Sequence, residues 1–166
     1  IDLAKKVALY TGSFNVYTVP FTDIQMQIYQ KCPHEQITLI MRRIMMRIAD
    51  KIAKANGSMA LITGESIGQV ASQTMQSLVV TDSVTDMPVF RPLIGYDKEE
   101  IVQLAKKIDT YETSILPYED CCTIFVPKHP ETKPRLNNII QSEKLLEDTL
   151  EDMIEEAISN AEITKV

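Results

Sequence analysis

The segment 62–74 constrains the fold of this chain more than any other. An apolar run at residues 59–62 leads into a segment punctuated by Gly64 and Gly68, and apolar residues then recur at helical spacing. This order predicts a buried strand over 59–62, a turn, and a helix over 69–80. Such a unit presents backbone N–H groups at the carboxyl end of the strand, where open α/β sheets bind anions and nucleotides. An ordinary strand–helix connection has the same pattern, so the pattern alone leaves the function open.

Three side chains of this segment suit a nucleotide. Gly64 lacks a Cβ, which would permit a tight turn and the close approach of a flat base. Gln69 and Gln73 are four residues apart, so on a helix they would share a face and could bind polar edges of a base.

The rest of the chain alternates between helical and extended patterns. Helices are predicted over residues 1–11, 22–30, 34–56, 98–108 and 142–160, and strands over 14–19 and 89–94. Thr22 and Gln25 suit a capping box, Asp97 suits a helix N-cap, and the proline-rich residues 109–135 are predicted to be irregular. The alternation predicts an α/β fold with a mostly parallel sheet and helices on both faces.

The net charge of −6 belongs to the end of the sequence. Eight acidic and two basic residues between 142 and 166 account for all of it, so residues 1–141 are electrically balanced and do not repel nucleic acid. We therefore divide the chain into residues 1–135, a partial nucleotide-binding domain, and 136–166, an acidic helical tail. The tail helix carries an apolar stripe made of Leu145, Leu146, Leu150, Ile154 and Ile158. This stripe should pack against the rest of the chain or against a second copy, which would make a homodimer.

The three cysteines do not resemble a secreted disulfide framework. Cys121 and Cys122 are adjacent, and Cα atoms about 3.8 Å apart lie below the usual disulfide range. Together with the absence of an apolar run of ~20 residues and of a signal peptide, this favours a reducing cytoplasm and no membrane. The two histidines have no matching ligand spacing, so no metal site is predicted.

Three ordered motifs resemble one family. Residues 61–74, the sequence Ile40-Met41-Arg42-Arg43 and the sequence Glu119-Asp120-Cys121-Cys122-Thr123-Ile124-Phe125 are similar to those of the tRNA 4-thiouridine synthases. These are tRNA sulfurtransferases that also serve thiamine thiazole synthesis. The resemblance runs from about Asp2 to about Pro134 and implies an adenine-nucleotide α-hydrolase (PP-loop) domain. The family's Ser-Gly-Gly-x-Asp-Ser phosphate loop does not occur in this sequence. The expectation is a partial domain that lacks its first strand or two and is inactive alone.

The resemblance also implies a site. Arg42, Gly64 and Gln73 match the family's nucleotide-binding positions, and arginine suits this role because its planar fork stacks on bases and clamps phosphate. Cys122 matches the sulfur-handling cysteine when the segments are aligned on the sequence that follows it, but its neighbour Cys121 keeps the assignment within the pair open. From the residues alone, Arg42 is equally compatible with a solvated basic helix flank, and a buried cysteine is usually inert.

The implied reaction uses ATP and Mg²⁺ to adenylate the 4-oxygen of a uridine in tRNA. A persulfide sulfur from a cysteine desulfurase then displaces AMP, and the thiamine branch implies a sulfur-carrier protein as a further partner. The alternative is a non-catalytic nucleotide-binding or assembly module, in which the acidic tail docks a partner.

Overall fold

A computed structural model describes residues 1–70, 73–117 and 130–166. The helices are α1 (Asp2–Thr11), α2 (Thr22–Lys31), α3 (Ile37–Ala55), α4 (Met75–Asp82), α5 (Lys98–Lys107), α6 (Tyr111–Ser114), α7 (Leu136–Glu143) and α8 (Glu147–Ser159). The strands are β1 (Asn15–Thr18), β2 (Leu61–Ile62), β3 (Val89–Phe90) and β4 (Glu162–Lys165), and 3₁₀ turns at His34–Gln36 and Lys144–Leu146 precede α3 and α8.

Helix α3 is the central element of the core. Isoleucines at helical spacing, including Ile37, Ile40 and Ile44, are at most 1% exposed, and burial of an isoleucine side chain contributes about 1.5–3 kcal/mol. The helix ends where Asn56 caps it and Gly57 takes a φ of 71°, a left-handed conformation that glycine adopts without a Cβ clash. The predicted helix over 34–56 is thus confirmed, except that its first turn is 3₁₀.

The tail joins the same core as α2 and α3. Ile139 and Ile154 are 0% exposed and Leu146 is 2% exposed, and all three belong to one cluster with residues of α2 and α3. The predicted packing of the apolar stripe is confirmed for Leu146, Leu150, Ile154 and Ile158. It is wrong for Leu145, which is 54% exposed, because a 3₁₀ turn at Lys144–Leu146 interrupts the predicted single helix. The division at residue 135 stays a prediction.

Two short sheets are formed by the described residues. Strands β1 and β4 pair antiparallel, from Asn15 opposite Lys165 to Thr18 opposite Glu162. Strands β2 and β3 pair parallel, with Leu61 opposite Val89. Leu61 and Val89 lie in a cluster with α3 residues. The strand β4 was not predicted, and the mostly parallel sheet with helices on both faces stays a prediction, since one of the two observed pairs is antiparallel.

The helix after β2 begins later than predicted. Helix α4 starts at Met75 because the Thr74 side chain accepts a hydrogen bond from the Ser77 N–H and caps it. Gln69 and Gln73 therefore precede the helix and do not share one of its faces, which corrects the prediction. The capping box predicted at Thr22 is also absent, since α2 has Phe21 at its N-cap and no side-chain cap.

Helices α1, α5 and α6 pack beside each other. The Lys6 Nζ donates to the Asp109 carboxylate at 2.7 Å and so connects α1 to the segment between α5 and α6. The predicted cap of α5 is confirmed, because Asp97 accepts from the Glu100 N–H and Glu100 completes a capping box. Among residues 1–70, 73–117 and 130–166, no helix combines the length and the apolar character needed to cross a bilayer.

Candidate functional site

The loop that follows β2 is fastened to the loop that follows β3. The Thr63 N–H donates to the Phe90 carbonyl at 3.0 Å, and the Ile67 N–H donates to the Ile94 carbonyl at 3.0 Å. The Ser66 hydroxyl donates to the Tyr96 carbonyl at 2.6 Å. Because β2 and β3 are parallel, both loops lie at the carboxyl edge of the pair, which is where α/β proteins bind ligands.

Four charged side chains meet at this edge and form the site cluster: Arg42, Glu65, Asp82 and Arg91. The Glu65 carboxylate pairs with the Arg42 Nη2 through Oε1 and accepts from the Arg91 Nε at 2.6 Å through Oε2. Arg91 also binds both carboxylate oxygens of Asp82, with its Nη1 at 3.0 Å from Oδ2. Two positive and two negative groups make the cluster formally neutral, which suits its partial burial.

Burial and two neighbouring charges act on the pKa of Arg42. Its side chain is 20% exposed and that of Glu65 is 9% exposed. Burial lowers the pKa of Arg42, the positive charge of Arg91 lowers it further, and the negative charge of Asp82 opposes both. A buried arginine beside another arginine gains from any additional negative charge, so the arrangement favours an anionic group nearby.

The segment 63–66 brings the three predicted nucleotide residues together. Glu65 binds Arg42, Gly64 precedes Glu65 in the chain, and the Ser66 N–H donates to the Gln73 Oε1 at 3.1 Å. Gly64 is exposed, and a Cβ built on it would meet no atom of residues 1–70, 73–117 and 130–166 within 4 Å, so these residues leave open space beside its backbone.

The turn in this loop is made by a different glycine from the predicted one. Gly68, rather than Gly64, has a φ of 78° in the left-handed region, and its N–H donates to the Gln73 carbonyl at 3.2 Å. Open space at Gly64 leaves room for a ligand at its backbone, while Gly68 provides the turn.

Sequence reasoning missed Glu65 and Arg91 as parts of the site. Both directly follow the parallel strand pair, Glu65 three residues after β2 and Arg91 immediately after β3. The rule that ligand groups follow the carboxyl ends of parallel strands could have identified both. Their mutual contact could not be read from the sequence, because the register of β2 and β3 sets it.

Arg43 and Arg47 serve a different purpose and form the core cluster with Glu143. The Arg43 Nε and Nη2 donate to the two oxygens of Glu143 at 2.8 and 3.0 Å, and the Arg47 Nη2 donates to Oε2 at 2.8 Å. The Arg43 Nη1 donates to the Val80 carbonyl at 2.6 Å. Burial acts to raise the pKa of Glu143, but hydrogen bonds from both arginines and their charges lower it below its usual value.

Cys121 and Cys122 lie outside the described residues, as do Glu119 and Asp120. The chain after them is anchored near the site cluster, since the Thr74 hydroxyl donates to the Thr132 carbonyl at 2.9 Å and Thr74 adjoins Gln73. The third cysteine, Cys32, is 5% exposed in the core. Burial, and then the negative charge of Glu143, raise its pKa to about 11, as expected of a thiol that packs in the core rather than reacting.

The described carboxylates of the site do not form a metal centre. Within the described ranges, no group of three or more His, Cys, Asp or Glu side chains is placed to hold a metal ion. Glu65 and Asp82 are both bound to arginines, so they do not fit a resident magnesium site.

Sequence comparison identifies the family. The profile of the family described as "Thiamine biosynthesis protein (ThiI)" matches residues 1–147. The proteins named "Probable tRNA sulfurtransferase" from Agathobacter rectalis and Acetivibrio thermocellus are 58% and 59% identical over all 166 residues. The chain spans 42% of the length of each of these relatives.

A solved structure agrees in fold and in family. It is described as a crystal structure of a 4-thiouridine synthetase–RNA complex with bound ATP. It matches with a TM-score of 0.92 and 38% sequence identity, over 99% of this chain and 44% of that chain. The α/β class is confirmed by this match. The resemblance carried by the three sequence motifs is also confirmed, and the chain belongs to the ThiI family of tRNA sulfurtransferases.

Proposed function

We propose that this sequence is part of a protein as long as its relatives, which we call the full-length protein. The full-length protein transfers sulfur to a uridine of tRNA in an ATP-dependent reaction and forms 4-thiouridine. Membership of the ThiI family supports this, as does the similar structure, which is a complex with RNA and bound ATP. The observation that carries the proposal is the meeting of Arg42, Gly64 and Gln73 around one loop at the carboxyl edge of β2 and β3.

In this proposal, the three residues hold the nucleotide. Open space beside the Gly64 backbone suits a flat base or a sugar. The Gln73 Oε1 already accepts from the Ser66 N–H, which leaves its amide NH₂ to donate to the ligand. Arg42 supplies positive charge for the phosphates. Mg²⁺ would arrive with ATP as part of the substrate, because Glu65 and Asp82 are engaged by arginines.

The proposed chemistry converts a poor leaving oxygen into a good one. The uridine O4 attacks the α-phosphorus of ATP and releases pyrophosphate. The terminal sulfur of a cysteine persulfide then attacks C4 and the C4–O4 bond breaks, so that AMP departs with the oxygen. A thiol then attacks the inner sulfur of the resulting adduct, so that the S–S bond breaks, 4-thiouridine is released and a disulfide remains with the thiol. Cys122, or its neighbour Cys121, would handle the sulfur. The anchoring of residue 132 beside Thr74 supports the delivery of this segment to the nucleotide, since only nine residues lie between Cys122 and that anchor.

The proposal also includes further strands of the sheet and the proteins that donate and accept the sulfur. A groove of about 500 Å³ lies between β1, α3 and β2 and is lined by residues such as Tyr17, Ile48 and Leu61. It suits further strands of a parallel PP-loop sheet, contributed by the part of the full-length protein that the relatives possess and this sequence does not contain. A cysteine desulfurase would donate the sulfur in the cytoplasm, and a sulfur-carrier protein would accept it for thiamine thiazole synthesis.

The test of the sulfur step uses the two adjacent cysteines as a matched pair. In the full-length protein, Cys122→Ser should abolish sulfur incorporation into unmodified tRNA while ATP affinity stays within about twofold, because oxygen replaces the polarizable atom with little change of volume. Cys121→Ser is the control and should be the milder change. The assay contains ATP, Mg²⁺, cysteine and the desulfurase. Full activity of the Cys122→Ser variant would exclude this cysteine from the reaction.

The same assay separates the enzyme from a binding module. The 166-residue chain alone should be inactive, because a phosphate loop is needed to hold the leaving pyrophosphate in line. ATP binding by the full-length protein without any thiolation, under conditions in which a relative is active, would support the non-catalytic alternative.

A further inference from the structure

We propose that Glu65 is a positioning residue for the nucleotide, which fixes the guanidinium of Arg42 and uses Arg91 as its second support. The inference rests on the proposed nucleotide-binding role of Arg42 and adds two residues to that site. Neither residue is placed to be the sulfur donor or acceptor, so their effect should be on binding rather than on the chemical step.

The geometry divides the Glu65 carboxylate between two arginines. Oε1 pairs with the Arg42 Nη2, and Oε2 accepts from the Arg91 Nε at 2.6 Å and from the Thr63 hydroxyl at 2.8 Å. The Glu65 side chain is 9% exposed, so water competes little for these bonds and they are stronger than at a surface. Because Arg91 and Thr63 hold Oε2, the carboxylate is fixed in place, and its Oε1 locates the Nη2 end of the Arg42 guanidinium.

Arg91 and Arg42 depend on Glu65 to different degrees, so the loss of Glu65 should affect them differently. Arg91 keeps both oxygens of Asp82. Arg42 loses its pairing with Glu65 and remains beside Arg91. Burial first, and then the charge of Arg91, lower the pKa of Arg42, while the charge of Asp82 opposes them. The Arg42 guanidinium should therefore turn away from Arg91 and from the orientation that the ligand requires.

The position of Glu65 distinguishes it from a general structural ion pair. It lies between Gly64 and Ser66, and the Ser66 N–H donates to Gln73. One three-residue stretch thus touches or contains each of the proposed nucleotide residues. By contrast, Glu143 of the core cluster binds Arg43 and Arg47 and none of these residues.

The test is a double-mutant cycle in the full-length protein, read as the Kd of Mg-ATP by calorimetry and as the KM and kcat of tRNA thiolation. Glu65→Gln keeps the length of the side chain and removes its charge. We expect the Kd and the KM for ATP to rise at least about tenfold, with kcat at saturating ATP within about threefold. The control is Glu151→Gln on the surface of α8, which should leave all three quantities unchanged.

The second arm asks whether Glu65 acts through Arg42. Arg42→Lys should weaken ATP binding, and the Glu65→Gln/Arg42→Lys variant should bind no more weakly than Arg42→Lys alone. A structural role would instead lower stability and give additive losses. An unchanged Kd for Glu65→Gln, or additivity in the cycle, would overturn the inference.

The cycle also distinguishes this inference from the proposed function. If the unmodified protein fails to bind ATP, or Arg42→Lys leaves the Kd unchanged, the nucleotide role of Arg42 is wrong, and this inference falls with it. If Arg42→Lys weakens binding and Glu65→Gln does not, only the positioning role is wrong. Should Glu65→Gln fail to fold, Glu65→Asp enters the same cycle, because its shorter side chain cannot reach both arginines.

Discussion

Two adjacent arginines of α3 bind two different carboxylates and serve two different purposes. Arg43 is 3% exposed, and its donors are used by Glu143, the Val80 carbonyl and the Ser83 hydroxyl. The side chain of Arg42 is 20% exposed and shares Glu65 with Arg91 at the edge of β2 and β3. Successive residues on a helix point about 100° apart, so one side chain turns into the core and the next reaches the strand ends.

The difference shows that the more buried of two adjacent arginines, Arg43, contributes to stability, whereas the more exposed one, Arg42, is available for binding. The core cluster joins α3 to α7 through four hydrogen bonds from Arg43 and Arg47 to the two oxygens of Glu143. The site cluster holds two arginines beside open backbone at Gly64. Loss of the Glu143 carboxylate should therefore destabilise the fold, whereas loss of the Glu65 carboxylate should weaken the binding of a ligand.

The largest effect should follow from breaking the core cluster. Glu143→Gln leaves Arg43 buried without its carboxylate and should reduce the free energy of unfolding by about 3–5 kcal/mol, the usual effect of removing one partner of a buried pair. Urea denaturation of the full-length protein measures it, with Glu151→Gln as the control, which breaks an exposed pair with Lys51 and should change stability by less than about 1 kcal/mol. A loss below about 1 kcal/mol in Glu143→Gln would remove the distinction between the two clusters.

A smaller effect is expected at Gly64, on binding alone. Gly64→Ala fits the described part of the free structure because its Cβ meets none of that part's atoms within 4 Å, but it should occupy space that the ligand needs. We expect the Kd of ATP to rise about tenfold, or about 1.4 kcal/mol, with an unchanged unfolding midpoint. Gly95→Ala is the control, since its Cβ also meets open space. Equal affinities of the two variants would show that the ligand does not approach Gly64.

The smallest effect is on the stability of the protein at acidic pH. Hydrogen bonds and charges from Arg43 and Arg47 hold the pKa of Glu143 below its ordinary value of 4.5, against the opposing effect of burial. The stabilisation is complete above that value and is lost as the pH falls through the lowered pKa, with a slope of at most about 1.4 kcal/mol per pH unit for one proton. Below pH 4.5, Glu143→Gln should lose stability less steeply than the unmodified protein. The measurement is the free energy of unfolding of both proteins at pH 3–7. If its dependence on pH is the same for both, Glu143 does not titrate in this range.

Local patterns in the sequence predicted what local physics determines. The apolar spacing located α3, and Asp97 followed by Glu100 located the start of α5. The start of α4 was misplaced, because Val70 and Met75 suggested a continuous helix while the Thr74 hydroxyl caps the helix only from Met75 onward. The strand β4 was missed because its four residues become a strand only by pairing with β1.

The candidate site was also predicted only in part from the sequence. Arg42, Gly64 and Gln73 were identified by resemblance, and the structure brings them together. The reason for their meeting lay in Glu65 and Arg91, whose contact depends on the pairing of two strands almost 30 residues apart. Such a contact leaves no periodic signal in either segment, so composition and spacing could not predict it.

The pairing of β1 with β4 also affects the synthesis of the protein on the ribosome. Thr18 and Glu162, which pair in this sheet, are about 140 residues apart. At a translation rate of about 5–20 residues per second, the edge of β1 that receives β4 stays open for roughly 7–30 s. An open strand edge can pair with another nascent chain. The charged ends of β4, Glu162 and Lys165, therefore reach this edge only after about 140 further residues have been made.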